Sequence, residues 1–280
     1  MDLRCGGPLF RSGGNENAMR KIVIMLCLIV FFGSGYYVLQ YIHANMSAQN
    51  NFKEVTQLKA RGLDAVFEKN SDVVGWVEIE GTKIDYPVMQ TTEASGKNDP
   101  EYYLHRDFDK EYSDSGTPFL DVASSIAGAT RLLDSESGEV FLADTSTWNW
   151  LVYGHHMKYG TMFHDLLKYE EEDFWKAHKT FRFDRINIGA DGTISEIDEE
   201  YEVIAAGYSR IYPEGSDAFK YYEYAGYYDE DTFDEYIAGV KAEACYDTGL
   251  TAAYGDQIVT LSTCAYQVDD GRFYVVGKRK

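Results

Sequence analysis

The chain has 280 residues with 46 acidic and 26 basic side chains, a net charge of -20. That balance excludes nucleic acid as a partner, because tracking phosphates needs clustered Lys and Arg. The length allows one or two domains with a sizeable core, and the four cysteines are too few for a disulfide scaffold.

In chain order, the first element is apolar. Residues 22–42 carry no charge, and a helix of that length reaches about 31 Å, enough for a bilayer core of about 30 Å. Arg4, Arg11, Arg20 and Lys21 precede the segment, and the first Lys or Arg after it is Lys53. The positive-inside rule then puts the N-terminus in the cytoplasm and residues 43–280 outside the cell membrane. The alternative is a cleaved signal peptide, with Ala48 near a candidate cleavage position. Met19-Arg20-Lys21 is a natural start for a signal anchor. The expected organisation is a cytoplasmic tail over 1–21, a transmembrane signal anchor over 22–42, a membrane-proximal helical segment over 43–72 and a folded domain over 73–280.

Val55, Leu58, Leu63, Val66 and Phe67 fall at helical spacing, predicting one or two helices over 49–70. From Val73 the pattern turns to strands: 73–79, a turn at Glu80-Gly81, then 84–89. Further strands are predicted at 116–120, 148–153, 201–208, 257–261 and 273–276. Helices are predicted at 164–175 and 231–244, the second with Phe233, Tyr236, Ile237 and Val240 on one face. Ser135–Gly138 and Gly189–Gly192 read as exposed loops. Short strands at irregular spacing with few helices argue for a closed or nearly closed β-barrel with helical insertions.

Among the cysteines, Cys5 and Cys27 lie before or within the apolar segment, so only Cys245 and Cys264 are free to pair in the main domain. Cys245 at the end of a helix reads as a buried small residue. Cys264 ends a β-branched strand, Gln257 to Thr263, where a thiol either faces a cleft or is a core residue. A catalytic thiol needs a base or cation beside it. His155 follows the strand 148–153 and one glycine, which puts an imidazole on a loop at a strand end. Its neighbour His156 is expected to point elsewhere, His105 to be an ordinary loop residue, and His164 and His178 to lie on the surface. His155, His156 and His164 lack the spacing of a chelating set, so no metal is expected. Arg272 comes eight residues after Cys264. On a neighbouring antiparallel strand it would sit beside the thiol and hold a carbonyl or a developing oxyanion; the alternative is a salt bridge to Asp269 or Asp270. The acids at 196–202 and 229–234 read as solvated faces.

Together these pieces resemble the sortase family. Thr260-Leu261-Ser262-Thr263-Cys264 matches its TLxTC motif, Tyr153-Gly154-His155 matches its YGH, and Arg272 takes the place of its arginine after the cysteine. Class B is the most similar subtype: the interval from His155 to Cys264 leaves room for a helix between the last strands, and Tyr102-Tyr103-Leu104 and Ser115 to Asp121 are similar to class B segments. The stretch from Val122 to Trp148, which looks like an insertion, and Ala265 after the cysteine depart from the pattern. The resemblance implies a sortase-type barrel of about eight strands, preceded by helices and one transmembrane helix. It implies a cysteine transpeptidase with His155, Cys264 and Arg272 as catalytic residues, and Ser262, Tyr153 and Leu104 lining the substrate groove. Cleavage of a C-terminal sorting signal after Thr would leave a thioacyl-enzyme, resolved by a peptidoglycan precursor amine, with no cofactor. Partners would be surface proteins bearing that signal. Pilin polymerisation is the alternative within the family. Outside it stand a thiol hydrolase or L,D-transpeptidase-like enzyme, which expects a histidine shortly before the cysteine, and a non-catalytic membrane-anchored binding module.

Overall fold

The computed structural model describes residues 13–95 and 99–280. The first part of the expected cytoplasmic tail, with Cys5, lies outside them. The described residues form two compact units, one ending at Gln49 and one running from Asn50 to Lys280.

Helix α1 (Gly13–Lys59) carries the apolar segment. Its stretch Asn17–Ile42 is long and apolar enough to cross a membrane, and side chains such as Phe31, Phe32 and Leu39 are bare. Length and composition suit an anchor and a signal sequence equally.

In the second unit, Phe52 and Val55 near the end of α1 and Leu63 and Val66 of α2 (Leu63–Lys69) join the main core. Then come β1 (Val73–Glu78), β2 (Asp85–Met89), β3 (Phe119–Leu120), β4 (Arg131–Leu133), β5 (Val140–Leu142) and β6 (Asn149–Tyr153). After α3 (Glu172–Ala177) follow β7 (Thr180–Ile188), β8 (Ile194–Ile197), β9 (Glu200–Arg210), α4 (Glu230–Ala242), β10 (Ile258–Cys264) and β11 (Gly271–Arg279). The strand order β1-β2-β3-β6-β10-β11-β9-β7 closes through β1–β7 pairing, giving the expected eight-stranded barrel, with β8 appended to β7. Closure leaves no free edge in the ring.

Alternation along the strands sorts two cores. Trp150 and Val152, Val259 and Leu261, and Phe273 and Val275 point into the barrel. Leu151, Ile258, Tyr274 and Val276 point outward, under Phe233, Tyr236, Ile237 and Val240 of α4. The apolar face predicted for that helix is the buried one. Asp229 caps it, its side chain accepting from the Thr232 N–H.

Four strands went unread in the sequence. The most consequential is β7, where Phe181, Phe183 and Ile186 are buried between charged residues. Its Asp184 is fully buried yet paired with both Lys59 and Arg182, so a charge mid-strand does not stop the strand from closing the barrel. Those cations also neutralise Glu196 and Asp198, the other two members of the acidic cluster there. The predicted helix 164–175 is two pieces, a 3-10 turn Phe163–Glu170 and α3, and the predicted strand 116–120 shortens to β3.

Candidate active site

Period-2 alternation sets the site. On β10, Cys264 falls on the same outer face as Ser262, and on β11 Arg272 shares that face with Tyr274. Antiparallel pairing puts Cys264 directly opposite Arg272, and parallel pairing puts Ser262 beside Tyr153 of β6. Phe119 of β3 pairs with Tyr153 on the other side. Thiol and guanidinium are therefore neighbours by strand register, the antiparallel arrangement expected from their spacing.

His155 is brought to this face by the loop after β6. The Gly154 N–H donates to the Ser262 carbonyl (3.0 Å), and Thr263 Oγ1 donates to the Gly154 carbonyl (2.6 Å), so the loop is fastened to the strand that carries Cys264. Gly154 has no room for a side chain: a Cβ there would stand 2.6 Å from the Phe163 ring. This is the physical reason for a glycine before His155.

The His155 ring lies with Nε2 at 2.8 Å from the Leu104 carbonyl. A carbonyl oxygen only accepts, so Nε2 carries the proton and Nδ1 is the nitrogen left to exchange one. Burial pushes the His155 imidazole below the ordinary histidine value, and the His105 ring 5.6 Å away pushes the same way, while the Leu104 carbonyl and Asp114 oppose. Leu104 is held in turn by Gly116, whose positive φ of 56° lets its Cα approach the Tyr103 and Leu104 carbonyls; a Cβ there would meet the Leu104 oxygen at 2.3 Å.

A cleft of about 320 Å³ joins these parts, lined by His155, Cys264, Arg272, Tyr153, Ser262 and Leu104 together with Asp121, Tyr221 and Tyr222. All six residues singled out from the sequence therefore face one cavity. Cys264 is half-buried and free. Arg272 forms no ion pair among the described residues; its Nη1 donates to the Gly271 carbonyl (3.0 Å) instead, so the salt bridge to Asp269 or Asp270 is not made. Tyr221 was not foreseen. Its hydroxyl bonds Ser262 Oγ at 2.6 Å, and burial holds it protonated well above the usual tyrosine range. The Tyr153 hydroxyl is likewise held up by burial and by Asp121, whose Oδ2 it meets at 2.9 Å. No short pattern marks Tyr221, which reaches the site from the long connection between β9 and β10.

Other expectations need correction. His105 is no ordinary loop residue: it stacks with Tyr112 and lies tilted against the His155 ring at 5.6 Å. His156 stays out of the cleft, but its Nδ1 sits 3.1 Å from the Cys264 carbonyl. His164 and His178 are half-buried, the second stacked on Phe174. Cys245 is exposed and free: it follows α4, its N–H bonded to the Ala206 carbonyl.

A closed eight-stranded barrel with a thiol, an imidazole and a guanidinium on one cleft defines a sortase-type cysteine transpeptidase. The chain is 31% identical to the sortase B of Listeria monocytogenes over 94% of its own length and 97% of the relative's. It is 24% identical to Staphylococcus aureus sortase B, covering 92% and 94%. The crystal structure of that staphylococcal enzyme superposes with a TM-score of 0.62 at 23% identity, over 84% of this chain and 98% of the other. No family model matches. The chain belongs to the sortase B family, and its activity is that of an enzyme, which removes the non-catalytic binding module.

Proposed function

We propose that this chain is a membrane-anchored sortase that joins proteins bearing a C-terminal sorting signal to a peptidoglycan amine through Cys264. The observation that carries this reading is the register of β10 and β11, which sets Cys264 against Arg272 in the cleft that also holds His155. The Cys264 proton passes to His155 Nδ1 as sulfur attacks the carbonyl of the signal's Thr. The peptide C–N bond breaks, and the imidazolium protonates the departing amine. A thioacyl-enzyme remains. An incoming amine then attacks it, the C–S bond breaks, and the amine's proton returns through His155 to the thiolate. Arg272 orients the carbonyl or stabilises the oxyanion in both steps. Ser262, Tyr153 and Leu104 line the path of the signal. Residues 22–42 span the membrane, with the N-terminus in the cytoplasm and the barrel outside. One S. aureus sortase B structure is described as a substrate complex, which supports a peptide in the corresponding groove.

The test is ligation. The soluble unit is incubated with a library of sorting peptides and a peptidoglycan-type amine, and products are read by mass spectrometry. Cleavage and ligation at one Thr-containing motif is the expected result. Hydrolysis with no ligated product, or no reaction with any member, contradicts it.

A further inference from the structure

The stretch Val122–Trp148, read from the sequence as an insertion, walls one side of a second groove next to the cleft that holds Cys264. It has a volume of about 540 Å³ and is lined by Leu133 and Phe141 of the β4–β5 hairpin, Glu93 and Asp99. Pro100 and Val122 line both cavities, so the groove continues the cleft. Its apolar wall is bare: Val122 is 48% exposed, Leu133 39% and Phe141 50%.

The wall is fixed in place. Buried Gln90 ties the two cavities together, its Nε2 donating to the Asp121 and Ser124 carbonyls (3.0 and 2.8 Å) and its Oε1 accepting from Thr130 Oγ1 (2.9 Å) at the foot of the hairpin. Thr92 Oγ1 donates to the Arg131 carbonyl, and the Ile188 N–H of β7 donates to the Gly128 carbonyl.

We propose that this groove holds the acyl-donor polypeptide on the N-terminal side of its sorting motif, selecting segments that mix apolar and basic residues. The proposal deepens the functional reading above and rests on it. Three arguments choose the occupant. The first is reach. The Asp121 N–H bonds the Leu151 carbonyl, so Asp121 lies about four residues, or roughly 13 Å, back along β6 from His155, and Val122 follows it. An extended polypeptide acylating Cys264 covers that distance in about four residues. The second is persistence. The C-terminal fragment departs when the thioacyl-enzyme forms, so a wall that grips the donor through both half-reactions must grip the part that stays attached. The third is charge. Arg131 also lines the groove, but its guanidinium lies over the Phe67 ring at 5.6 Å, while Glu93 and Asp99 form no ion pair among the described residues, so the described rim carries two acids against one base and favours cations.

The test uses a peptide that acylates Cys264 in three forms: the core alone, the core with six alternating lysine and leucine residues added on its N-terminal side, and the core with the same addition on its C-terminal side. The N-terminal addition is expected to lower KM about five-fold relative to the core, with kcat unchanged. In Phe141→Ser that ratio is expected to fall to about one, and in Glu93→Gln to fall part of the way. A photoreactive group on the fourth added residue is expected to crosslink the wild-type protein between Arg131 and Phe141. A wild-type ratio of one, a gain only from the C-terminal addition, or crosslinks elsewhere overturns the groove while leaving the transpeptidase intact. Failure of every core peptide to acylate Cys264 overturns the functional reading and the groove together.

Discussion

The floor of the catalytic cleft and the β4–β5 hairpin beside it are built in opposite ways. The floor strands β6 and β10 are paired on both edges within the barrel ring, and all but the ends of these strands are buried. The hairpin pairs only with itself, and Val140 and Phe141 stand half out of the surface. Register in the floor cannot slip without turning a core face outward, so Cys264, Ser262 and Arg272 are placed by the same constraint that folds the barrel. The hairpin is held at its foot by hydrogen bonds to Gln90 and Thr92 and by Arg131 over the Phe67 ring, and leaves the side chains of β5 mostly exposed. The proposed chemistry is thus set where tolerance for change is least, and the hairpin is attached where tolerance is greatest.

That contrast can be broken by substitutions on either side. Cys264→Ala is expected to remove the thioacyl-enzyme and lower turnover by about 10³-fold or more, read by single-turnover cleavage. Trp150→Ala, inside the barrel, should destabilise by about 3–5 kcal/mol in urea unfolding; a loss under about 1 kcal/mol would show the floor to be as forgiving as the hairpin. Arg272→Ala should lower kcat/KM by about 10²–10³-fold while the fold keeps its urea midpoint. Tyr221→Phe leaves the buried Ser262 hydroxyl short of a partner and should cost about 1–3 kcal/mol of stability. His155 has a smaller, pH-dependent effect. Its folded pKa is lower than the unfolded value of about 6.5. Its contribution is therefore complete above pH 6.5 and falls as pH drops through the folded value. Urea midpoints from pH 8 to 5 should decline more steeply for the wild type than for His155→Gln. Val140→Ala, out on the hairpin, should stay within about 0.5 kcal/mol of the wild type.

The sequence made the proposed catalytic face legible because motif and register coincide there. A strand ending in Cys264 and an arginine eight residues on needed only antiparallel pairing to meet, and that pairing forms; the glycine-led histidine is brought in by the parallel pairing of β6 with β10. What stayed hidden depended on long-range partners. Strand β7 reads as too charged until Lys59 and Arg182 are brought to Asp184. Tyr221 carries no local sign of its bond to Ser262, and His105 becomes a neighbour of His155 only once Gly116 draws the Tyr103-Leu104 turn inward. The hairpin strands are three residues long each, too short for alternation to reveal them.

The central claim is that Cys264 carries the acyl group. Intact-mass and peptide-mapping measurements on the wild-type protein, quenched during turnover of a sorting peptide, test it most directly. One acyl adduct on Cys264, released by hydroxylamine and absent in Cys264→Ala, is the result predicted here. An adduct on the exposed Cys245, or turnover that survives Cys264→Ala, would contradict it.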